Sequence, residues 1–436
     1  MRKTTRKAWA LAAGVMSISL LATACSGESS EGDDDAASGD SKVTLTVATF
    51  NNFGYTDELL AEYTEANPNV TVKQTRAAES ADARTNLTTK LAAGGAGLAD
   101  VEAIEVDWLP ELLTSADAFE DLTDPSVEGR WEPWKQEAAT SEDGRLIGYG
   151  TDIGPEGICY RADLFEAAGL PTDRAEVAEL LGGDSATWDK YFEVGRTFTA
   201  ASPDVAWFDS ASATFQGMVN QVENPYEESD GTPKSLGENT EIKDLFDQVT
   251  AASADLSAGL TQWSPDWDAA FQSNGFATML CPAWMTGPIE ERAGGVTGWD
   301  VADVFPGGGG NWGGSYLTVP ASGKNVEEAK KLAAWLTSPE TQVKAFENAG
   351  TFPSQVEAWE SEDLKSATNE FFNDAPVGEI FANRAGAISV TQFKGPNYFQ
   401  IHQTVTDALA RVDVDKSEDP AAGWQGAVSA FDSLGL

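Results

Sequence analysis

The sequence predicts an α/β fold that opens on a mostly parallel sheet, and three stretches near its start predict it. Val43, Leu45 and Val47 alternate with Thr44 and Thr46, the period-two pattern of a strand over 43–50. Thr56-Asp57-Glu58 then supplies a cap and an acidic first turn for a helix carrying Leu59, Leu60 and Tyr63. Asn67-Pro68-Asn69 breaks that helix, and Val70 to Lys73 reads as a second strand. A further helix from about Ala81 to Ala93 stops at Gly94-Gly95, ahead of a third strand at Val101 to Ile104. Strand and helix alternating at this spacing mean βαβ units.

The middle of the chain is more helical. Ile242, Leu245, Phe246 and Val249 follow helical spacing behind Asn239, and Ala329, Leu332, Ala333 and Leu336 repeat it behind Asn325. Phe276 to Leu280 and Asp300 to Val304 read as strands. Two helical faces close the chain, Ile401, Val405, Ala408 and Val412 on one and Trp424, Val428 and Phe431 on the other. A length of 436 residues allows two or three domains, and no solenoid-length repeat is present.

Composition excludes several function classes. With 28 Lys+Arg against 70 Asp+Glu the formal net charge is −42, so a polyanionic nucleic acid would be repelled. Basic-patch binding to anionic lipid is excluded on the same ground. One His and three Cys cannot build a His-rich or four-Cys metal site, and no cofactor is expected. Gly307-Gly308-Gly309-Gly310-Asn311 lacks the Lys-Ser or Lys-Thr of a phosphate loop. Asp413-Val414-Asp415 starts like a calcium loop, but Glu418 replaces its Gly and Trp424 its terminal Glu. His402 lies within an amphipathic helical pattern and reads as structural.

The N-terminus reads as an address. Arg2, Lys3, Arg6 and Lys7 precede an apolar run of small residues from Ala8 to Ala24, the pattern of an export signal over 1–24. Cys25 follows in a segment that resembles a lipobox, with Ala22 where Leu, Val or Ile is usual; lipidation of Cys25 is expected. Residues 25–41 are acidic, with Gly, Ser and Ala and no large apolar residue, as suits a self-repelling tether. Membrane contact is then expected only through the lipid. Of the remaining cysteines, Cys159 and Cys281, pairing outside the cell and two buried thiols are both open.

The 14 tryptophans carry the functional signal. Trp263, Trp267, Trp284, Trp299 and Trp312 fall within fifty residues, each near Pro, Gly, Asn or Asp, whereas Trp335 sits among Leu332 and Leu336 and reads as core. Loop-borne indoles suit a sugar site, where a flat ring covers the apolar face of a pyranose while amides and carboxylates bond its hydroxyls.

These stretches resemble the extracellular solute-binding proteins of carbohydrate ABC importers, the group that includes maltose-binding protein. The likeness rests on Val47-Ala48-Thr49-Phe50-Asn51-Asn52, on Gly157 to Phe165 with Ala168-Gly169-Leu170-Pro171, on Gly275 to Gly287, on Gly313-Gly314-Ser315-Tyr316, and on Gly350-Thr351-Phe352-Pro353-Ser354. Met279 to Met285, Gly298 to Ala302 and Asn311 to Ser315 look like the cellobiose and cello-oligosaccharide binders of actinobacteria. The resemblance implies a two-lobe periplasmic-binding-protein fold, each lobe a doubly wound sheet with flanking helices, joined by three crossings with the ligand in the cleft between. It divides the chain into 42–151 with 318–351 and 152–317 with 352–436. It implies ligand contacts at Asn52, Phe53, Asp107, Asp152, Trp263, Trp267, Trp284, Trp312, Ser315, Arg384, Asn397 and Tyr398, Tyr398 standing where the maltose binder has Trp. It implies a monomer that captures a β-linked oligosaccharide outside the cell and passes it to permease subunits driven by a cytoplasmic ATPase. Two other readings use the same residues. A secreted glycoside hydrolase needs only two carboxylates brought together by folding, and the negative charge would suit a binder of peptides or cationic solutes.

Overall fold

The computed structural model describes residues 42–436. The expected export signal at 1–24, lipidation at Cys25 and tether at 25–41 lie outside the described residues. Two sheets organise the chain.

The first sheet holds β1 (Val43–Phe50), β2 (Val70–Ala77), β3 (Val101–Glu105), β4 (Tyr149–Gly150) and, from much later in the chain, the strand Ser315–Thr318. The expected βαβ units form. Helix α1 (Asp57–Ala66) and helix α2 (Ser80–Ala92) connect β1, β2 and β3, which run parallel with Val43 opposite Val70 and Val47 opposite Val101. Thr56 caps α1 by accepting the Leu59 N–H at 3.2 Å, a bond of the kind whose loss costs about 1 kcal/mol. Leu45, Val47, Ile104 and Leu317 are fully buried in a core shared with Leu59, Leu332 and Leu336. Asn239 also caps its helix, accepting from Ile242 N–H at 3.2 Å. Asn325 takes the cap position of the helix Val326–Leu336 but makes no side-chain cap bond; its amide donates to Asp100 instead.

The second sheet holds β5 (Glu156–Arg161), β6 (Thr278–Pro282) and β7 (Trp299–Ala302), with β5 central and antiparallel to both neighbours. Its strands are buried on both faces. Ile158 and Tyr160 join one apolar cluster, and Cys159 between them joins another with Met279 and Val301. Helices such as Trp188–Ala201, Thr240–Leu256 and Tyr398–Asp413 bury their apolar stripes in the first of these clusters. Cys159 and Cys281 are bonded to each other, which closes the two alternatives left by the sequence. Their Cα atoms stand 5.4 Å apart on neighbouring strands, with Gly157 directly opposite Cys281.

Ser315–Thr318 is the eighth strand, β8, and it lies between β3 and β4 in the first sheet. Ala103 faces Leu317 and Glu105 faces Ser315. Ser315, Tyr316 and Leu317, which the expected division places with the second lobe, are thus hydrogen-bonded into the first sheet. Three segments cross between lobes side by side. Asp152 pairs with Pro353, Ile153 N–H donates to Phe352 O at 2.9 Å, and Trp312 N–H donates to Gly154 O at 2.8 Å. A side chain at Gly154 would meet the Trp312 carbonyl carbon and oxygen, so only glycine lets these two crossings touch.

Candidate functional site

A cavity of about 280 Å³ opens between the lobes. From the first lobe it takes the carboxyl ends of β1 and β3, the end at which open α/β sheets bind ligands. Phe50, Asn51, Asn52 and Phe53 follow β1, and Glu105 and Asp107 close β3. The start of α2 adds Glu79 and Ser80. From the crossings come Asp152, Trp312 and Ser315, and from the second lobe Trp263, Trp284, Phe399 and Gln403.

Six aromatic residues line the wall: Phe50, Phe53, Trp263, Trp284, Trp312 and Phe399. Trp284 sits in the turn Ala283–Met285, which the chain enters directly from β6. Its indole N–H donates to Trp312 O at 2.8 Å, and the two indoles meet edge to face at 5.9 Å. Trp263 lies nearly parallel to Trp284, centroids 6.3 Å apart. Across the cavity Phe50 and Phe53 pack edge to face at 5.0 Å. Trp263 and Asn51 both hold positive φ, at 69° and 45°. For a residue as bulky as Trp this is an outlier that surrounding packing must sustain, and such strain gathers at functional sites. The Arg292 guanidinium, paired with Asp268 at 2.6 Å, lies 5.0 Å from the Trp263 ring and supplies part of that packing.

The polar floor is held by burial and bonding. Asp152 accepts from Thr151 Oγ1–H at 2.7 Å and from Ser315 N–H at 2.9 Å, pinning two crossings together. Burial still raises its pKa, opposed by the Lys135 ammonium nearby. Lys135 lies 3.9 Å from the Tyr316 ring, and burial lowers its pKa to about 8. Glu105 is raised well above the usual carboxylate range by burial and then by the charge of Asp107. Asp107 forms an ion pair with Lys394, which comes from the second lobe. Phe399 of the second lobe packs on the first lobe's core, with the Arg84 guanidinium 4.3 Å from its ring.

Of the twelve expected contact residues, Asn52, Phe53, Asp107, Asp152, Trp263, Trp284, Trp312 and Ser315 bound this cavity. The other four do not, and the reasons are specific. Trp267 is fully buried, with its N–H given to Asp209 at 2.9 Å, and serves as backing for Trp263. Arg384 pairs with Asp303 at 2.6 Å and donates to Gly308 O. Asn397 precedes its helix and gives its amide to Glu227 at 3.0 Å. Tyr398 is buried and stacks on His402, centroids 5.6 Å apart. The neighbouring Phe399, and Gln403 one turn on, face the cavity instead. Glu105, Glu79, Ser80, Phe399 and Gln403 were missed by sequence reasoning. For the last pair a signal existed: they sit off the Ile401-Val405-Ala408 stripe at the i, i+4 spacing of one helix face.

Two lobes, three crossings and an aromatic cavity between them define a protein built to enclose a small molecule. The chain belongs to the bacterial extracellular solute-binding protein family, whose model matches residues 58–373; these are binding proteins, not enzymes. It is similar to an extracellular solute-binding protein of family 1 of known crystal structure, 51% identical over 90% of this chain and 99% of that one, with a TM-score of 0.78. The binding protein of B. animalis subsp. lactis in complex with β-1,6-galactobiose has the same fold, with a TM-score of 0.76 at 20% identity over 90% and 97% of the chains. So does the galacto-N-biose-/lacto-N-biose I-binding protein of Bifidobacterium longum, with a TM-score of 0.70 at 18% identity over 90% and 96%. The lactose-binding protein of Rhizobium radiobacter is 26% identical over 246 residues, 55% of this chain and 56% of that protein, so the match spans about half of that relative. The comparisons support the two-lobe fold expected from the sequence.

Proposed function

We propose that this chain is the substrate-binding component of an ABC sugar importer, and that it takes cellobiose, a cello-oligosaccharide or a related β-linked oligosaccharide. The observation that carries this reading is the cavity wall: Trp263, Trp284 and Trp312 on one side and Phe50 and Phe53 on the other, above a floor of buried, hydrogen-bonded carboxylates. Flat faces cover the C–H surface of a pyranose, and fixed acceptors take its hydroxyl protons. The sugars named for its relatives support the class. In the same reading the chain works outside the cell, held to the outer face of the membrane by lipid on Cys25. It hands its ligand intact to permease subunits with a cytoplasmic ATPase, and acts as a monomer.

Calorimetry with cellobiose, cellotriose, xylobiose, lactose and maltose tests the reading. The β-linked glucose oligomers should bind most tightly, at micromolar dissociation constants or below. If none of the five binds tighter than roughly millimolar, about −4 kcal/mol, the sugar reading fails.

A further inference from the structure

The interlobe cleft holds a second cavity, of about 470 Å³, beyond the first. A single layer of chain separates them. Along the end of β3, Glu105 and Asp107 face the first cavity and Val106 between them faces the second. On the crossing, Asn311 bounds the second and Trp312 the first. The layer is completed by Lys394, which bounds the second cavity and reaches across from the other lobe to pair with Asp107. The two side chains are only 8% and 17% exposed.

The second cavity has the makings of a sugar site: Trp134 and Phe393 as flat faces and Asn224 as an amide, while Asn220 and Gln392, also on its wall, are already bonded to Glu156 and to the Val219 carbonyl. The first cavity, about 280 Å³ and so just below the ~300–1,000 Å³ typical of small-molecule sites, suits a short ligand. A longer one extending into the second cavity would have to part Asp107 from Lys394. Neutral hydroxyls cannot replace a lost charge partner, so parting a largely buried pair is unfavourable.

We propose that the Asp107–Lys394 pair sets the maximum ligand length. It confines an oligosaccharide to the aromatic cavity, and the cavity beyond it is a latent continuation of the site. This rests on the sugar-binding reading above. The test is calorimetry with cellobiose through cellopentaose on the wild type and on the double variant Asp107→Asn/Lys394→Met, which leaves no lone charge buried. The wild type should bind two or three glucose units most tightly and lose roughly ten-fold or more in affinity at five. In the double variant the affinity for five units relative to two should rise by roughly ten-fold, and adding Trp134→Ala should reverse that rise. The proposal is overturned if the ratio is the same in both proteins, or if the wild type binds cellopentaose as tightly as cellobiose. Failure of every sugar to bind the wild type would overturn the functional reading as well, whereas binding with an unchanged ratio overturns the partition alone.

Discussion

Trp263 and Trp267 stand four residues apart, their rings are 5.2 Å apart, and they do opposite things. Trp267 is wholly buried and its N–H is answered by the buried carboxylate of Asp209. Trp263 bounds the cavity from a left-handed backbone position that no tryptophan adopts unaided. The same division runs through the helix Tyr398–Asp413, where Phe399 and Gln403 face the cleft while Tyr398 and His402 stack on each other behind them. Aromatic clustering in the sequence therefore marks the neighbourhood of a site. Which ring meets the ligand is decided by where the backbone turns.

The largest effect that could break this comparison is on stability. Trp267→Ala should destabilise the fold by about 3–5 kcal/mol in denaturant titration, from the cavity it leaves and the one hydrogen bond it takes from Asp209, which keeps those from Gln262 and the Ser210 N–H. A variant as stable as the wild type would remove Trp267 from the core. Trp284→Ala should show the reverse profile: sugar affinity in calorimetry falls by about 2 kcal/mol or more, roughly 30-fold, while stability changes far less than for Trp267→Ala. Undiminished affinity would take Trp284 out of the site.

The smallest effect sharpens the core side of the C-terminal helix. Burial lowers the His402 pKa from 6.5 to about 4, against the Asp107 charge, which raises it. Between those values the unfolded chain holds a proton that the folded chain does not, so this residue's contribution to stability is present above pH 6.5 and is lost as pH falls toward 4. His402→Asn should flatten that part of the melting-temperature profile by a few degrees relative to wild type. Sugar affinity at pH 7 should not move. A wild-type profile retained in full by the variant would show that His402 is not the group titrating.

What was legible in the sequence follows from geometry. The opening βαβ units could be read because Val43, Leu45 and Val47 alternate and Thr56 caps, each a local signal. β5 offered no such signal: Gly157, Ile158, Cys159 and Tyr160 are all buried, since both faces of the sheet are covered, and a strand buried on both faces has no alternation to read. Its place came from family likeness. Asn397 and Tyr398 were expected at the ligand, yet one residue along a helix is about 100° of rotation, enough to turn Tyr398 inward and Phe399 outward. Arg384 was expected at the ligand through the family likeness, but Asp303 already holds it.

The position of β8 has a consequence for how the molecule comes into being. The strand that joins β3 to β4 reaches its slot only after the chain has travelled through β5, β6 and β7. The first sheet is thus stitched shut by a late arrival, a pairing of high sequence separation of the kind that slows folding. A chain emerging from its N-terminus stays open at the middle of that sheet until Ser315 appears, and any fragment ending earlier lacks the strand that makes its first lobe whole.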